Sequence, residues 1–466
     1  MYIVEKSCKA SYKRALQLWY FHLNWCCLQN TDMKILNSSA VSPFGGLNFV
    51  LKEFDRLKID LLIEENMPKL SSNSKYKWKD ILYSFWSIYF CGGGSIEDLG
   101  NNFKAFLSDI PYMNVPSPDR ILSRFKELSI PKVIRKSPRG KAINELSENQ
   151  TLNLLNIKLL KKINPKKYTN NNLTLDYDNT IIYTEKADAK NTYLKAFGYQ
   201  PGVAIIGNDI VGVQNRNGNS VAYALQDETL KVIFENLKSE GIKIKNFRAD
   251  SASYNFKILS LVSQYADNIF VRVKMSHSVY HVINSIDNWT QIDTKDGRTL
   301  FRGSKVFMPF KKTAREQNKK ELLKEYKLVV TKEANHDGQL NLFTNEACVY
   351  GCIMTSDLTK SDDEIVCFYN QRGATEREFD VLKNDFGWQH LPFSKLEQNT
   401  VFLILTAVCR NLYNYIISHF SGIYKHLKAN FRIKKFIFRF ICMPGKWVKS
   451  GRILKLRLYG SLAFRT

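Results

Sequence analysis

The sequence predicts a multidomain α+β protein: a helical N-terminal domain, an α/β core interrupted by a β-rich insertion, and a basic C-terminal tail. Three observations predict it. Apolar residues recur at helical spacing from Pro43 to about Leu128, strand-like and helix-like segments alternate from Asn172, and no acidic residue follows Glu397. With 466 residues there is room for about three domains of ~150 residues each. An apolar fraction of 44% with 13% aromatics excludes a disordered or low-complexity chain. The 68 Lys+Arg against 44 Asp+Glu leave +24, a surplus that draws polyanions such as nucleic acid or an anionic membrane face.

Residues 1–32 are rich in Cys, Trp and Tyr and resemble nothing that follows, so they read as an upstream extension with translation expected to begin at Met33. Ala15 to Tyr20 has no small-residue cleavage site after it, and no signal peptide is expected. The nine cysteines are odd in number and scattered, so no disulfide framework is implied; Cys348 and Cys352 lack a second pair at zinc spacing and read as buried thiols. The longest apolar stretch near the C-terminus, Val401 to Val408, is too short to span a bilayer. The expected setting is cytoplasmic and reducing, without a membrane partner.

Residues 33–130 form the helical domain. Leu47, Val50, Leu51, Phe54 and Leu57 share one face, and Ile81, Leu82, Phe85, Ile88 and Tyr89 another. Gly92-Gly93-Gly94 breaks the pattern, Ser95 with Asp98 restarts it, and Ser117-Pro118-Asp119 opens a helix carrying Arg120, Arg124 and Lys126. Such a module suits either a DNA reader of helix-turn-helix type or a plain helical scaffold. Lys132, Arg135, Lys136, Arg139 and Lys141, set among Pro131, Pro138 and Gly140, mark 131–170 as a basic linker.

The core runs over 171–284 and 356–425. Leu173 to Tyr183 alternates like a strand, and Val203–Ile206 and Ile210–Val213 are strands joined through Gly207-Asn208-Asp209. Gln226 to Glu240 is helical and closed by Gly241; Ile242–Ala249, Asn255–Tyr265 and Ile269–Val273 follow as strand, helix and strand. This β-β-β-α-β-α-β order is that of a ribonuclease-H-like mixed sheet. Short strands at Trp289–Ile292, Lys305–Phe310, Tyr326–Thr331 and Ala347–Met354 make 285–355 the β-rich insertion, and helical spacing returns from Glu364 to about His419. Residues 426–466 are the basic tail: Arg410 and twelve further Lys/Arg from Lys425 to Arg465 give +13 after Glu397.

Asp176 and Asp178 share a face of the first core strand, and Asp250 ends a later one. Neighbouring carboxylates repel and raise one another's pKa, a cost that a divalent cation removes. An Asp at a strand end can equally cap a following helix, as Asp250 before Ser251 could. Further along, Tyr369, Arg372, Glu376 and Lys383 stand in the pattern Y-x2-R-x3-E-x6-K. On one continuous helix at about 100° per residue they fall within a ~60° stripe, with Glu378 and Asp380 turned elsewhere as surface residues.

That pattern resembles the signature of the DDE transposases of bacterial insertion sequences, a cut-and-paste superfamily with a β-strand insertion between the second Asp and the Glu. Pro43-Phe-Gly-Gly-Leu, Gly92-Gly-Gly-Ser-Ile-Glu-Asp-Leu, Val115-Pro-Ser-Pro-Asp, Leu175-Asp-Tyr-Asp-Asn-Thr, Arg248-Ala-Asp-Ser and Tyr369-Asn-Gln-Arg-Gly-Ala are similar to the group called IS thirteen-eighty. The resemblance implies a catalytic triad of Asp178, Asp250 and Glu376, with Asp178 chosen over Asp176 because the first Asp of the superfamily precedes x-Thr. It implies two Mg2+ ions, with Mn2+ as a substitute, held by that triad, and phosphate contacts from Tyr369, Arg372 and Lys383. The implied partner is double-stranded DNA, both transposon ends and target, engaged by a homodimer. Ala252 departs from the Ser-Gly usual after the second Asp. A non-catalytic DNA-binding protein derived from such an enzyme is the alternative; it would keep the basic runs and could lose the carboxylates, which here are all present.

Overall fold

The computed structural model describes residues 41–136, 143–293, 298–335 and 337–460. The upstream extension 1–32, Arg139 and Lys141 of the basic run, and Arg465 lie outside the described residues. Helices at Leu47–Arg56, Ile59–Asn66, Trp78–Phe90, Lys104–Ser108 and Pro118–Glu127 follow the expected periodicity. Ser117 caps the last of them by accepting from the Arg120 N–H, with Pro118 in the first turn. Within this helix Arg124 points inward, paired with Glu127 and bonded to the Ser74 hydroxyl, both at 2.5 Å, and lying over the Trp78 ring. The expected basic reading face is thereby reduced on its own helix.

The helical segment is not a separate domain. Residues 43–466 are one compact unit, because the faces of these helices find their partners near the other end of the chain. The Trp86 indole N–H donates to the Leu405 carbonyl at 3.1 Å, and Phe85 packs edge-on against Phe402. The helix Leu396–Ser421 that receives them is longer than the apolar run alone suggests. It is long and apolar enough to cross a membrane, yet 89% of the qualifying stretch is buried inside the fold, as the core helix of a folded domain would be.

Sixteen strands are described: β1 Val133–Lys136, β2 Ile143–Ser147, β3 Leu173–Asn179, β4 Ile182–Tyr183, β5 Lys190–Asn191, β6 Phe197–Tyr199, β7 Gly202–Ile206, β8 Asp209–Arg216, β9 Ile244–Ala249, β10 Ala266–Arg272, β11 Thr290–Asp293, β12 Thr299–Phe307, β13 Tyr326–Ala334, β14 Cys348–Thr355, β15 Gly445–Ser450 and β16 Ile453–Leu458. Eleven of them form one mixed sheet in the order β1-β2-β8-β7-β3-β9-β10-β14-β13-β12-β11. β3, β9 and β10 are parallel neighbours, and the remaining pairs are antiparallel. The β-rich insertion therefore extends the core sheet: β14 pairs with β10, Phe270 opposite Thr355.

The segment 131–170, expected as a linker, is built into the fold. β1 and β2 form one edge of the sheet, and Gln150–Ile163 is a buried helix capped by Asn149. Asn153 exchanges both hydrogen bonds with the Val213 backbone, and Asn156 donates to the Ile210 carbonyl at 2.6 Å. These amides replace ladder bonds that β8 lacks there. Lys132 is neutralised by Glu145 at 2.9 Å and Asp188 at 3.3 Å.

The described part of the basic tail, up to residue 460, is built into the fold too. β15 and β16 form a hairpin, and the segment before it lies against the start of the compact unit: Gly45 N–H donates to the Met443 carbonyl and Gly46 N–H to that of Ile441. A Cβ on Gly46 would stand 2.8 Å from the Ile441 Cα, which accounts for the glycines in Pro43-Phe-Gly-Gly-Leu.

Candidate active site

β3 and β9 run parallel with Asp176 opposite Arg248 and Tyr177 opposite Ala249. Their C-terminal ends therefore carry Asp178 and Asp250 side by side, at the edge where open α/β sheets bind ligands. Alternation puts Asp176, Asp178, Arg248 and Asp250 on one face. Asp176 is consumed structurally. Arg248 grips it with two bonds of 2.6 and 2.8 Å, donates also to the Phe368 carbonyl, and lies over the Phe368 ring. Asp178 is the strand carboxylate outside that grip. One of its oxygens accepts from the Asn179 N–H at 2.9 Å and the other from Arg372 Nη1 at 2.6 Å. Burial raises the Asp178 pKa, Arg372 pulls it back, and the charge of Asp250 pushes it up again.

Asp250 also caps the 3-10 turn Ser251–Ser253, one oxygen accepting from the Ala252 N–H at 3.0 Å. Capping and proximity to Asp178 coexist, since a carboxylate has a second oxygen. Ala252 is not among the residues with positive φ, so the departure from Ser-Gly costs no backbone strain.

The single helical stripe is not realised. Asp362–Asn370 and Ala374–Asp385 are separate helices joined by a 3-10 turn at Gln371–Gly373, and the tighter winding there shifts the phase of everything downstream. Tyr369 is buried, its hydroxyl donating to the Ala249 carbonyl at 3.2 Å; it anchors the helix end beneath the strand carrying Asp250. Arg372 is paired with Asp178. Glu376 is exposed in the first turn after the junction. Lys383 is half-buried, its pKa lowered by burial, and lines a cavity of about 250 Å³ with Gly92–Gly94, Asp385, His390 and Lys434. The structure thus brings Tyr369, Arg372, Asp178 and Asp250 together, while Glu376 and Lys383 stand elsewhere. Glu378, expected at the surface, is half-buried and held by Arg410 through bonds of 2.9 to 3.1 Å. Asp380 is exposed, as expected, and paired with Arg432.

Two carboxylates at adjacent strand ends suit Mg2+, which takes one or two carboxylates and keeps water and phosphate oxygens for its remaining positions. Among the described residues, no three His, Cys, Asp or Glu side chains are grouped so as to hold a metal ion. The aspartate pair therefore fits the ion, while the third expected ligand is not assembled with it. Arg248 is the site residue that motif reading passed over, although it stands two positions before Asp250 in a motif already singled out.

A mixed sheet presenting paired aspartates at parallel strand ends defines a candidate phosphoryl-transfer site. The family described as "Transposase DDE domain group 1" matches residues 121–466, about three-quarters of the chain, and the protein belongs to that family. Among solved structures, the cryo-EM structure of a piggyBac transposase synaptic complex with hairpin DNA is similar at 11% identity and a TM-score of 0.39, over 86% of this chain and 80% of that one. No curated protein matches.

Proposed function

We propose that this protein is the transposase of a bacterial insertion sequence of the IS thirteen-eighty kind, with a ribonuclease-H-like core. It binds the terminal inverted repeats as a homodimer in the bacterial cytoplasm, cuts at the element ends and joins the 3′ ends to target DNA. The juxtaposition of Asp178 and Asp250 at the ends of β3 and β9 carries this reading, together with family membership.

Asp178 and Asp250 would hold Mg2+ or Mn2+, with Glu376 as third ligand once the helix that bears it draws in. The bound ions supply an activated water or 3′-hydroxyl and stabilisation of the leaving oxygen. Asp176 remains locked on Arg248 and fixes β3 against β9. Tyr369 holds the junction between the two helices against the end of β9. Arg372 offers a fork of donors matched to phosphate oxygens, and Lys383 a point charge further along the DNA backbone. The Lys and Arg of the tail supply affinity without sequence.

Cleavage of a terminal-repeat duplex in Mg2+ tests the triad. Glu376→Gln, Asp178→Asn and Asp250→Asn should each abolish strand cleavage while duplex binding persists. Full activity of Glu376→Gln would refute the assignment.

A further inference from the structure

In this structure the carboxylate that should receive a metal ion already holds a cation. Arg372 Nη1 lies 2.6 Å from Asp178 Oδ2, and both side chains are largely buried, at 16% and 15% exposure. The other Asp178 oxygen is engaged by the Asn179 N–H. We propose that Arg372 is a positioning residue that occupies Asp178 in the absence of DNA and releases it when a DNA phosphate takes the guanidinium, so that metal entry follows DNA binding. The proposal rests on the transposase reading of Asp178 and Asp250.

Comparison of the two arginines on this face supports it. Arg248 is fixed: it grips Asp176 bidentately, donates to the Phe368 carbonyl and covers the Phe368 ring. Nothing in that arrangement can be exchanged without leaving a buried charge alone. Arg372 also lies over a ring, that of Tyr369, but it makes one bond to its carboxylate, where Arg248 makes two, and it sits on the three-residue turn Gln371–Gly373 between two helices. At Gly373 an added Cβ would meet nothing within 4 Å, so the turn has open space on that side.

Charge explains the order of events. Asp178 and Asp250 repel one another, and Arg372 offsets that repulsion within the protein. A divalent ion approaching Asp178 must therefore compete with a partly buried guanidinium. A phosphodiester gives the guanidinium an alternative anion, with two oxygens matched to its fork. With Oδ2 vacated, the repulsion between Asp178 and Asp250 is uncompensated, the condition in which a cation binds best. Glu376 lies four residues beyond Arg372 on the same segment, exposed and not grouped with the pair so as to hold a metal ion. One movement of the turn can withdraw the arginine and bring in the third ligand. Metal and DNA affinities are then reciprocally coupled, each raising the other by the same factor.

Mn2+ alone is the probe, titrated by electron paramagnetic resonance against the full chain, with and without an inverted-repeat duplex. In the wild type the duplex should raise Mn2+ affinity by about tenfold, within the range for coupled sites. Arg372→Gln should reach that raised affinity without DNA and gain nothing more from the duplex, whereas Arg372→Lys should stay close to wild type. Adding Asp178→Asn should remove the gain in every case. Unchanged Mn2+ affinity in Arg372→Gln without DNA would overturn the proposal. Should that variant not fold, a wild type whose Mn2+ affinity is indifferent to the duplex would overturn it equally. The transposase reading fails separately, if the Asp178→Asn and Asp250→Asn variants bind Mn2+ and cut DNA as the wild type does.

Discussion

Arg248→Met should be among the most damaging single substitutions outside the reacting groups. The guanidinium is 6% exposed as a residue and makes two bonds to Asp176, itself 3% exposed. Methionine keeps most of the stem volume, so the loss is electrostatic and not a cavity. What remains is a buried carboxylate with no cation, which costs about 3–5 kcal/mol when one partner of a buried pair is removed. Urea unfolding followed by tryptophan fluorescence reads this directly, since Trp86 and Trp388 are buried. Asp176→Asn in the same chain should recover much of the loss, because the amide carries no charge to strand. The loss should be largest at pH 8 and shrink toward pH 5, as the orphaned carboxyl takes up a proton. A destabilisation below about 1 kcal/mol, typical of an exposed pair, would refute the view that Asp176 is consumed structurally and would return it to contention as a metal ligand.

Glu148 is pushed up to about 7, first by burial and then by the neighbouring charge of Glu228, with Arg216 opposing. Its folded pKa lies above the unfolded value, so the fold favours the protonated form and loses stability as pH rises from about 4.5 through 7. Glu148→Gln should therefore stabilise by ~1–3 kcal/mol at pH 8 and by almost nothing at pH 4, read as a difference in melting midpoint; equal effects at both pH values would contradict it. Gly46→Ala should cost roughly 1–3 kcal/mol by overpacking against the Ile441 backbone, visible as a lower urea midpoint, whereas the same change at the open Gly94 should be nearly neutral. Replacing Lys446, Lys449, Lys455 and Arg457 of the tail hairpin by Gln should flatten the dependence of DNA affinity on salt, each lost phosphate contact lowering the slope by about 0.9; an unchanged slope would place the DNA elsewhere.

Most core elements were legible because alternation and helical spacing are local signals. β3, β7, β8, β9 and β10, and the helices Gln226–Ser239 and Phe256–Val262, stand close to where periodicity puts them. The helix Gln150–Ile163 was hidden in an expected linker because Asn153 and Asn156 look like surface residues. Only the fold reveals that their amides complete the backbone bonding of β8. β11–β14 were visible as strands, but sheet membership depends on a partner, β10, that no local pattern names. At the site, Asp178 and Asp250 could be read from strand ends and motif. The exposure of Glu376 could not, because Gln371-Arg372-Gly373 has the spacing of a continuous helix while adopting a 3-10 turn. At about 120° per residue in place of 100°, three residues add ~60°, as wide as the whole expected stripe.

The helix Leu396–Ser421 has a consequence for how the chain is made. It satisfies the indole of Trp86 from 319 residues away, bonds to β8 through Asn411 at Ile210, and receives the Trp388 indole on Thr406. During synthesis it leaves the ribosome after nearly everything it serves. The N-terminal helices and the first strands must wait with apolar faces uncovered, in need of chaperoning. A chain terminated before this helix would leave the Trp86 indole and the Ile210 backbone groups without these partners.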